Sequence, residues 1–209
     1  MPRSSEPARR QLLDTALRLF ASQGIAAVSL REIRLAAKQR NAGALHYHFG
    51  SKEGLLRALL ERELPPLVAR RRILLAEAAA AATPRADLRP VAAIFILPFA
   101  EMATGSEHER SVVQLINQLH DDVSLSFSQI TALVGDTAIG EAAALLGSRL
   151  TNVPYDILSE RIAVANSIFL HAAALRARGG SREQRLDDRA FRENLVDMFH
   201  GALIAPVAR

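Results

Sequence analysis

The chain has 209 residues, 49% hydrophobic and 23% charged; this is enough to bury a core in one large domain or two small ones and excludes a disordered or collagen-like polypeptide. Its longest apolar run, Val91 to Ala100, is far short of the ~20 residues that span a bilayer, and the absence of cysteine excludes disulfide frameworks and thiolate metal sites. The net charge of +4 is unevenly placed: residues 1–72 hold 14 Lys and Arg against six Asp and Glu, whereas residues 73–209 hold 12 against 16. A basic head on a mildly acidic body points to a polyanion as the partner of the head. The N-terminal MPRSSEPARRQ has no apolar stretch behind it, so no secretory leader is expected and the protein reads as cytoplasmic.

Helical periodicity dominates from the start. Leu12, Leu13, Ala16, Leu17 and Phe20 form one apolar stripe, and Gly24 stands where a helix stops in a left-handed residue. Ser29-Leu30-Arg31-Glu32 is a capping box that opens a short helix through Ala37. Asn41 is placed to cap a third helix from Ala42 to Phe49, which Gly50 ends. Ser51 caps a fourth, with Leu55, Leu56, Leu59 and Leu60 on its buried side. Pro65-Pro66 interrupts that helix and divides the chain into residues 1–64 and 65–209. The pattern resumes through Arg70-Arg71-Arg72, read as a solvated face, and through the alanines at 78–82 until Thr83-Pro84. Further helices are expected over 87–104, 109–119, 122–134 and 137–149. Two long ones follow, Tyr155 to Arg178 and Asp188 to Ile204, separated by the polar stretch 179–185. The expected fold is all-α: a small three-helix domain with a helix-turn-helix at 29–49, followed by a larger helical domain.

The chemistry concentrates in that motif. In a helix-turn-helix the first helix crosses the DNA backbone and the second enters the major groove. His46, Tyr47 and His48 crowd the end of the second helix, and Ser51-Lys52 opens the next; a phenol, a lysine and a helix N-terminus all suit phosphate. The segment Leu45-His46-Tyr47-His48-Phe49-Gly50-Ser51-Lys52-Glu53-Gly54-Leu55 closely resembles the recognition-helix signature of the tetracycline-repressor (TetR) family of bacterial transcription regulators. Residues 16–24 and 28–33 resemble that family's first and second helices in order and spacing, and Lys38-Gln39 stand where it usually has a glycine. The resemblance implies phosphate contacts at Tyr47 and Lys52 and at the Ser29 cap, with Arg31 in the same DNA-contacting set. It implies base reading by Asn41, Ala42, Ala44 and His46. Leu45 and Phe49 are expected in the core, and His48 is as well suited to capping or packing as to DNA.

The resemblance further implies a homodimer on palindromic operator DNA and a small-molecule effector held by the second domain. Phe95, Phe99, Met102, Leu115 and Phe127 read as plain core or as the walls of a mostly apolar effector cavity, with Asn117, Gln118, His120 and Asn166 as polar anchors. The last two helices carry apolar stripes wide enough for a four-helix dimer interface through Ile162, Ile168, Phe169, Leu195, Phe199 and Leu203. No cofactor and no membrane partner are expected. A rival reading is an all-α metal-dependent phosphohydrolase centred on His120-Asp121, with His108 and Asp156 recruited as further ligands. No nucleophile elbow, P-loop or dinucleotide fingerprint is present.

Overall fold

The computed structural model describes residues 5–41, 43–80, 87–121, 135–179 and 186–207. Its architecture is all-α, with a helix-turn-helix region at the N-terminus and a larger helical body. Ten helices are found among the described residues, and no strand: α1 (Ser5–Gln23), α2 (Leu30–Ala36), α3 (Ala44–Phe49), α4 (Lys52–Glu63), α5 (Pro65–Ala80), α6 (Arg89–Ala103), α7 (Glu107–Asp121), α8 (Ala138–Arg149), α9 (Tyr155–Ala177) and α10 (Asp188–Ile204). The helix expected over 122–134, with Phe127, lies outside the described residues.

Local chemistry explains most boundaries. Gly24 takes φ +96° and its N–H closes on the Phe20 carbonyl, so α1 stops there. Pro65 and Pro66 follow the end of α4, as expected, with only Leu64 between it and α5. They occupy the first turn of α5, where an amide would be unpaired in any case, and the Val68 N–H reaches back to the Leu64 carbonyl. Ser106 and Glu109 form a second capping box, which starts α7 two residues before the expected position: the Ser106 N–H donates to Glu109 Oε2 at 2.7 Å and the Glu109 N–H to Ser106 Oγ at 3.2 Å.

α6 is the central helix of the body, apolar on nearly all sides, and packs against α5, α7, α8, α9 and α10. Arg161 of α9 donates to the Leu203, Ala205 and Pro206 carbonyls at the end of α10, and Arg176 donates to the Leu186 carbonyl and Asp188 at its start. The two helices are thereby pinned at both ends, with Arg161 also placed favourably against the C-terminal dipole of α10.

One sequence expectation is overturned in α5. Arg70, Arg71 and Arg72 are not one solvated face: exposed Arg72 meets Glu141 and Thr137, half-buried Arg70 grips Glu101 of α6, and Arg71, only 2% exposed, pairs with Asp136 ahead of α8. Three charges counted in the basic segment are therefore paired with carboxylates of the body. Charge runs sit in solvent because isolated ions resist desolvation, and at Arg71 a carboxylate distant in sequence offsets that cost.

Candidate nucleic-acid interface

The head is built around Leu12, Leu13, Leu17 and Phe20 of α1, which pack with Val28, Ile33, Leu45, Leu55 and Leu59. α2 begins at Ser29, whose Oγ accepts from the Glu32 N–H while Glu32 accepts from the Ser29 N–H at 2.7 Å. Backbone and side-chain hydrogen bonds from Ser29 hold the Glu32 carboxyl below the ordinary carboxylate range, with a smaller contribution from Lys52. The cap expected to meet phosphate is thus occupied by Glu32 in the free protein, while Arg31 beside it is exposed.

The turn after α2 is fixed at several points. Lys38 adopts φ +53°, the left-handed conformation that glycine takes without steric penalty, at the place where the resembled family usually has one. Arg34 Nη1 donates to the Gln39 carbonyl at 3.0 Å, and Gln39 Nε2 reaches Gln11 Oε1 on α1 at 3.0 Å. Asn41 does not cap α3 as expected. Its Oδ1 accepts from the Gly43 N–H at 2.9 Å, making a side-chain turn that delays the helix to Ala44. Ala42 lies outside the described residues. Ala44, expected among the outward base-reading residues, is instead buried with Leu45.

α3 ends at Gly50 (φ +72°), and Ser51 Oγ accepts from the Gly54 N–H at 3.1 Å to start α4. A Cβ on Gly54 would overlap the Phe49 carbonyl oxygen, so α3 and α4 touch backbone to backbone. On the outer face of this corner Tyr47 is 79% exposed, which excludes the alternative that its ring packs within its own domain. Its ring meets the edge of His48 at 5.1 Å, and His48 is half-buried. His46 is exposed, and its Nδ1 lies 2.7 Å from the Gly50 carbonyl. A carbonyl only accepts, so Nδ1 carries the proton and the outward Nε2 of the neutral ring is an acceptor. Lys52 places its Nζ over the Phe20 ring, 5.8 Å from the centroid, and stays half-buried at the start of α4. Asn41, His46, Tyr47, Lys52, Ser29 and Arg31 therefore belong to one compact corner of short helices.

The expected effector residues separate into two groups. Phe95, Phe99 and Leu115 are buried; Phe95 stacks on Phe199 at 5.6 Å, and the Arg71 guanidinium lies 5.1 Å over Phe99. These side chains fill core, and Met102 packs partly buried against it. Asn166 and His120 instead border a pocket of about 430 Å³ between α7 and α9, together with Ile139, Ile162 and Ser167. Gln118, expected as a polar anchor, faces α1: its Oε1 accepts from the Ile25 N–H at 2.7 Å, and its Nε2 donates to the Phe20 carbonyl at 2.9 Å.

The expected interface residues are corrected similarly. Leu195, Phe199 and Leu203 are core of the protomer, Ile162 is half-buried beside the α7–α9 pocket, and Phe169, though buried, does line the groove between α9 and α10. Among the exposed apolar side chains of the same two helices, Val164, Ile168 and Met198 line, with Ile157 and Ala202, an open groove of about 770 Å³. The signal was present at 157, 161, 164 and 168, which share one helical face. Periodicity alone does not say which apolar face of a two-faced helix turns inward.

The phosphohydrolase constellation does not assemble among the described residues. His120 Nε2 meets Ser167 Oγ at 2.6 Å, His108 Nε2 meets Glu63 at 2.7 Å, and no three His, Asp or Glu side chains there converge on a common point. The Asp121 side chain lies outside the described residues. Among the described residues no helix is long and apolar enough to cross a membrane.

Residues 12–59 match the family model of bacterial regulatory proteins of the tetR family. Solved structures extend the fold likeness along the whole chain. A TetR-like transcriptional regulator from Rhodococcus sp. RHA1 is 18% identical with a TM-score of 0.58, over 95% of this chain and 97% of its own. AibR, solved with isovaleryl coenzyme A and operator DNA, is 20% identical with a TM-score of 0.55, over 91% and 97%. The superantigen PfiT shares the fold at 23% identity and a TM-score of 0.55, over 92% and 96%. No curated protein matches the sequence.

Proposed function

We propose, on the match of residues 12–59 to the tetR family of bacterial regulatory proteins, that the chain is a transcription regulator that represses from a palindromic operator as a homodimer and is released by a small molecule. The observation that carries the DNA-binding part is the exposed corner of α3 and α4. There Tyr47 leaves a large aromatic in solvent beside His46, Lys52 and the start of a capped helix. In this reading Tyr47, Lys52, Ser29 and Arg31 take phosphates, while Asn41 and His46 face base edges; buried Ala44 supports the helix from behind.

The division at Leu64–Pro65 gives the head residues 1–64 and the body 65–209. A second copy covers the groove of Val164, Ile168 and Met198, forming a four-helix contact from α9 and α10 of each protomer. Half-sites about one helical turn (~34 Å) apart require the two α3 helices to keep their separation. A ligand in the body that moves α5, which follows α4 without a gap, changes that separation and releases DNA. AibR, solved with both isovaleryl coenzyme A and operator DNA, supports the pairing of a small-molecule ligand with operator DNA on this fold. Selection of bound sequences from random double-stranded DNA tests the reading. A palindromic consensus is expected, and enrichment of no sequence overturns it.

A further inference from the structure

We infer that Arg71 is the anchor for a carboxylate, so that the molecule acting on the body of this regulator is an organic acid rather than a neutral apolar compound. The inference rests on the regulator reading above and names its ligand class. Arg71 sits on α5, 2% exposed, with its guanidinium over the Phe99 ring. Asp136 takes Nη1 alone, and the buried Nε and Nη2 have no hydrogen-bond partner. The other oxygen of Asp136 is turned to the Ala138 N–H at the start of α8.

Nε and Nη2 together form the side-on edge of a guanidinium, the two-pronged donor that fits a planar carboxylate. One residue earlier the same edge is filled: Arg70 donates from Nε to Glu101 Oε2 at 2.9 Å and from Nη2 to Oε1 at 2.8 Å. Burial holds the Arg71 guanidinium below its ordinary value, with desolvation outweighing the help from Asp136. A buried cation with two of its three nitrogens unmatched is a costly arrangement, and a second carboxylate on the open edge relieves it. Asp136 does not forbid that second anion, since part of its charge is taken up by the α8 N-terminus. The Phe99 face offers an apolar wall for the body of the acid. Both nitrogens are covered in the free protein, so the acid enters by displacing the packing between α5, α6 and α8. Binding is thereby coupled to the position of α5 and, through Leu64–Pro65, to α4.

The test uses the full-length protein with 15N-labelled arginine, titrated with hexanoate and benzoate and, separately, with hexanamide and benzamide. The Arg71 Nε–H resonance is expected to shift progressively with the acids and to stay in place with the amides. Arg71→Lys keeps the charge opposite Asp136 but lacks the two-pronged edge, and it should weaken acid binding at least tenfold. Arg71→Gln combined with Asp136→Asn removes both charges together and should abolish binding while leaving no lone ion buried. A silent Arg71 resonance, an equal response to the amides, or unchanged acid affinity in either folded variant overturns the inference. DNA selection on the untreated protein is run alongside. Intact sequence-specific binding with a silent Arg71 sinks this inference alone, whereas no sequence-specific binding sinks the regulator reading beneath it.

Discussion

At Lys38 a branchless but full-sized side chain holds a left-handed backbone that costs a non-glycine residue roughly 1–2 kcal/mol. Lys38→Gly removes that strain and gives back part of the gain through a more flexible unfolded chain. The net expectation is a protein more stable by about 0.5–1 kcal/mol, read as a higher thermal midpoint. A lower midpoint would mean that the lysine side chain makes a compensating contact. At His46 the Gly50 carbonyl fixes the tautomer and presents Nε2 as an acceptor, which suits the amino groups of adenine and cytosine in the major groove. His46→Ala should erase an adenine or cytosine preference at one position of each half-site. Lys52→Ala should weaken all sequences alike and lower the salt-dependence slope by about one unit. Both are read from equilibrium titrations at several salt concentrations, and an unchanged slope in Lys52→Ala would remove that lysine from the interface. The caps at Ser29 and Ser51 were legible in the sequence because capping follows from a local pattern of residue type and spacing. The His46 tautomer was not, because it depends on how the chain folds back at Gly50.

Among the elements, α7 joins head to body. Its Gln118 satisfies two backbone groups where α1 ends, and its His108 meets Glu63 at the end of α4. Gln118→Ala leaves the Ile25 N–H without its partner, at a cost of about 1–3 kcal/mol. It should also loosen α1 relative to the body, so that ligand and DNA binding influence each other less even where DNA affinity is kept. Comparing operator affinity with and without ligand in wild type and variant measures this coupling; equal coupling in both would assign Gln118 a purely structural role. The long helices α9 and α10 were legible to within a residue, since their apolar spacing is sustained over many turns. α3 began later than its sequence suggested because Asn41 spends its side chain on a turn at Gly43. The arginine run of α5 was misread for a different reason: its carboxylate partners lie 31, 65 and 69 residues away, and no local pattern reveals such distant pairings.

For the whole molecule, the decisive contrast lies between the two sides of α9 and α10. Ile168 is 57% exposed on the groove, whereas Phe199 is fully buried against Phe95 and Phe169. Ile168→Glu should leave the fold intact, convert a dimer to a monomer in sedimentation, and cost operator affinity. Phe199→Ala should instead lower stability by about 3–5 kcal/mol without selectively separating subunits. A wild type that sediments as a monomer at micromolar concentration, or an Ile168→Glu protein that stays dimeric, would exclude this face as the interface.

The buried apolar side chains form one cluster from Leu12 in the head to Leu203 in the last helix. The head is consequently not a cassette that can be cut at Leu64 and fitted to another body. A chimera that joins this head to a foreign body must supply a seventh helix whose apolar side matches α1. The polar half of that joint is more forgiving, since Gln118 holds a backbone N–H and a backbone carbonyl, groups that a transplanted head can offer whatever its side chains. On the proposed reading, new DNA specificities are therefore better obtained by exchanging the outward residues of α3 than by exchanging heads.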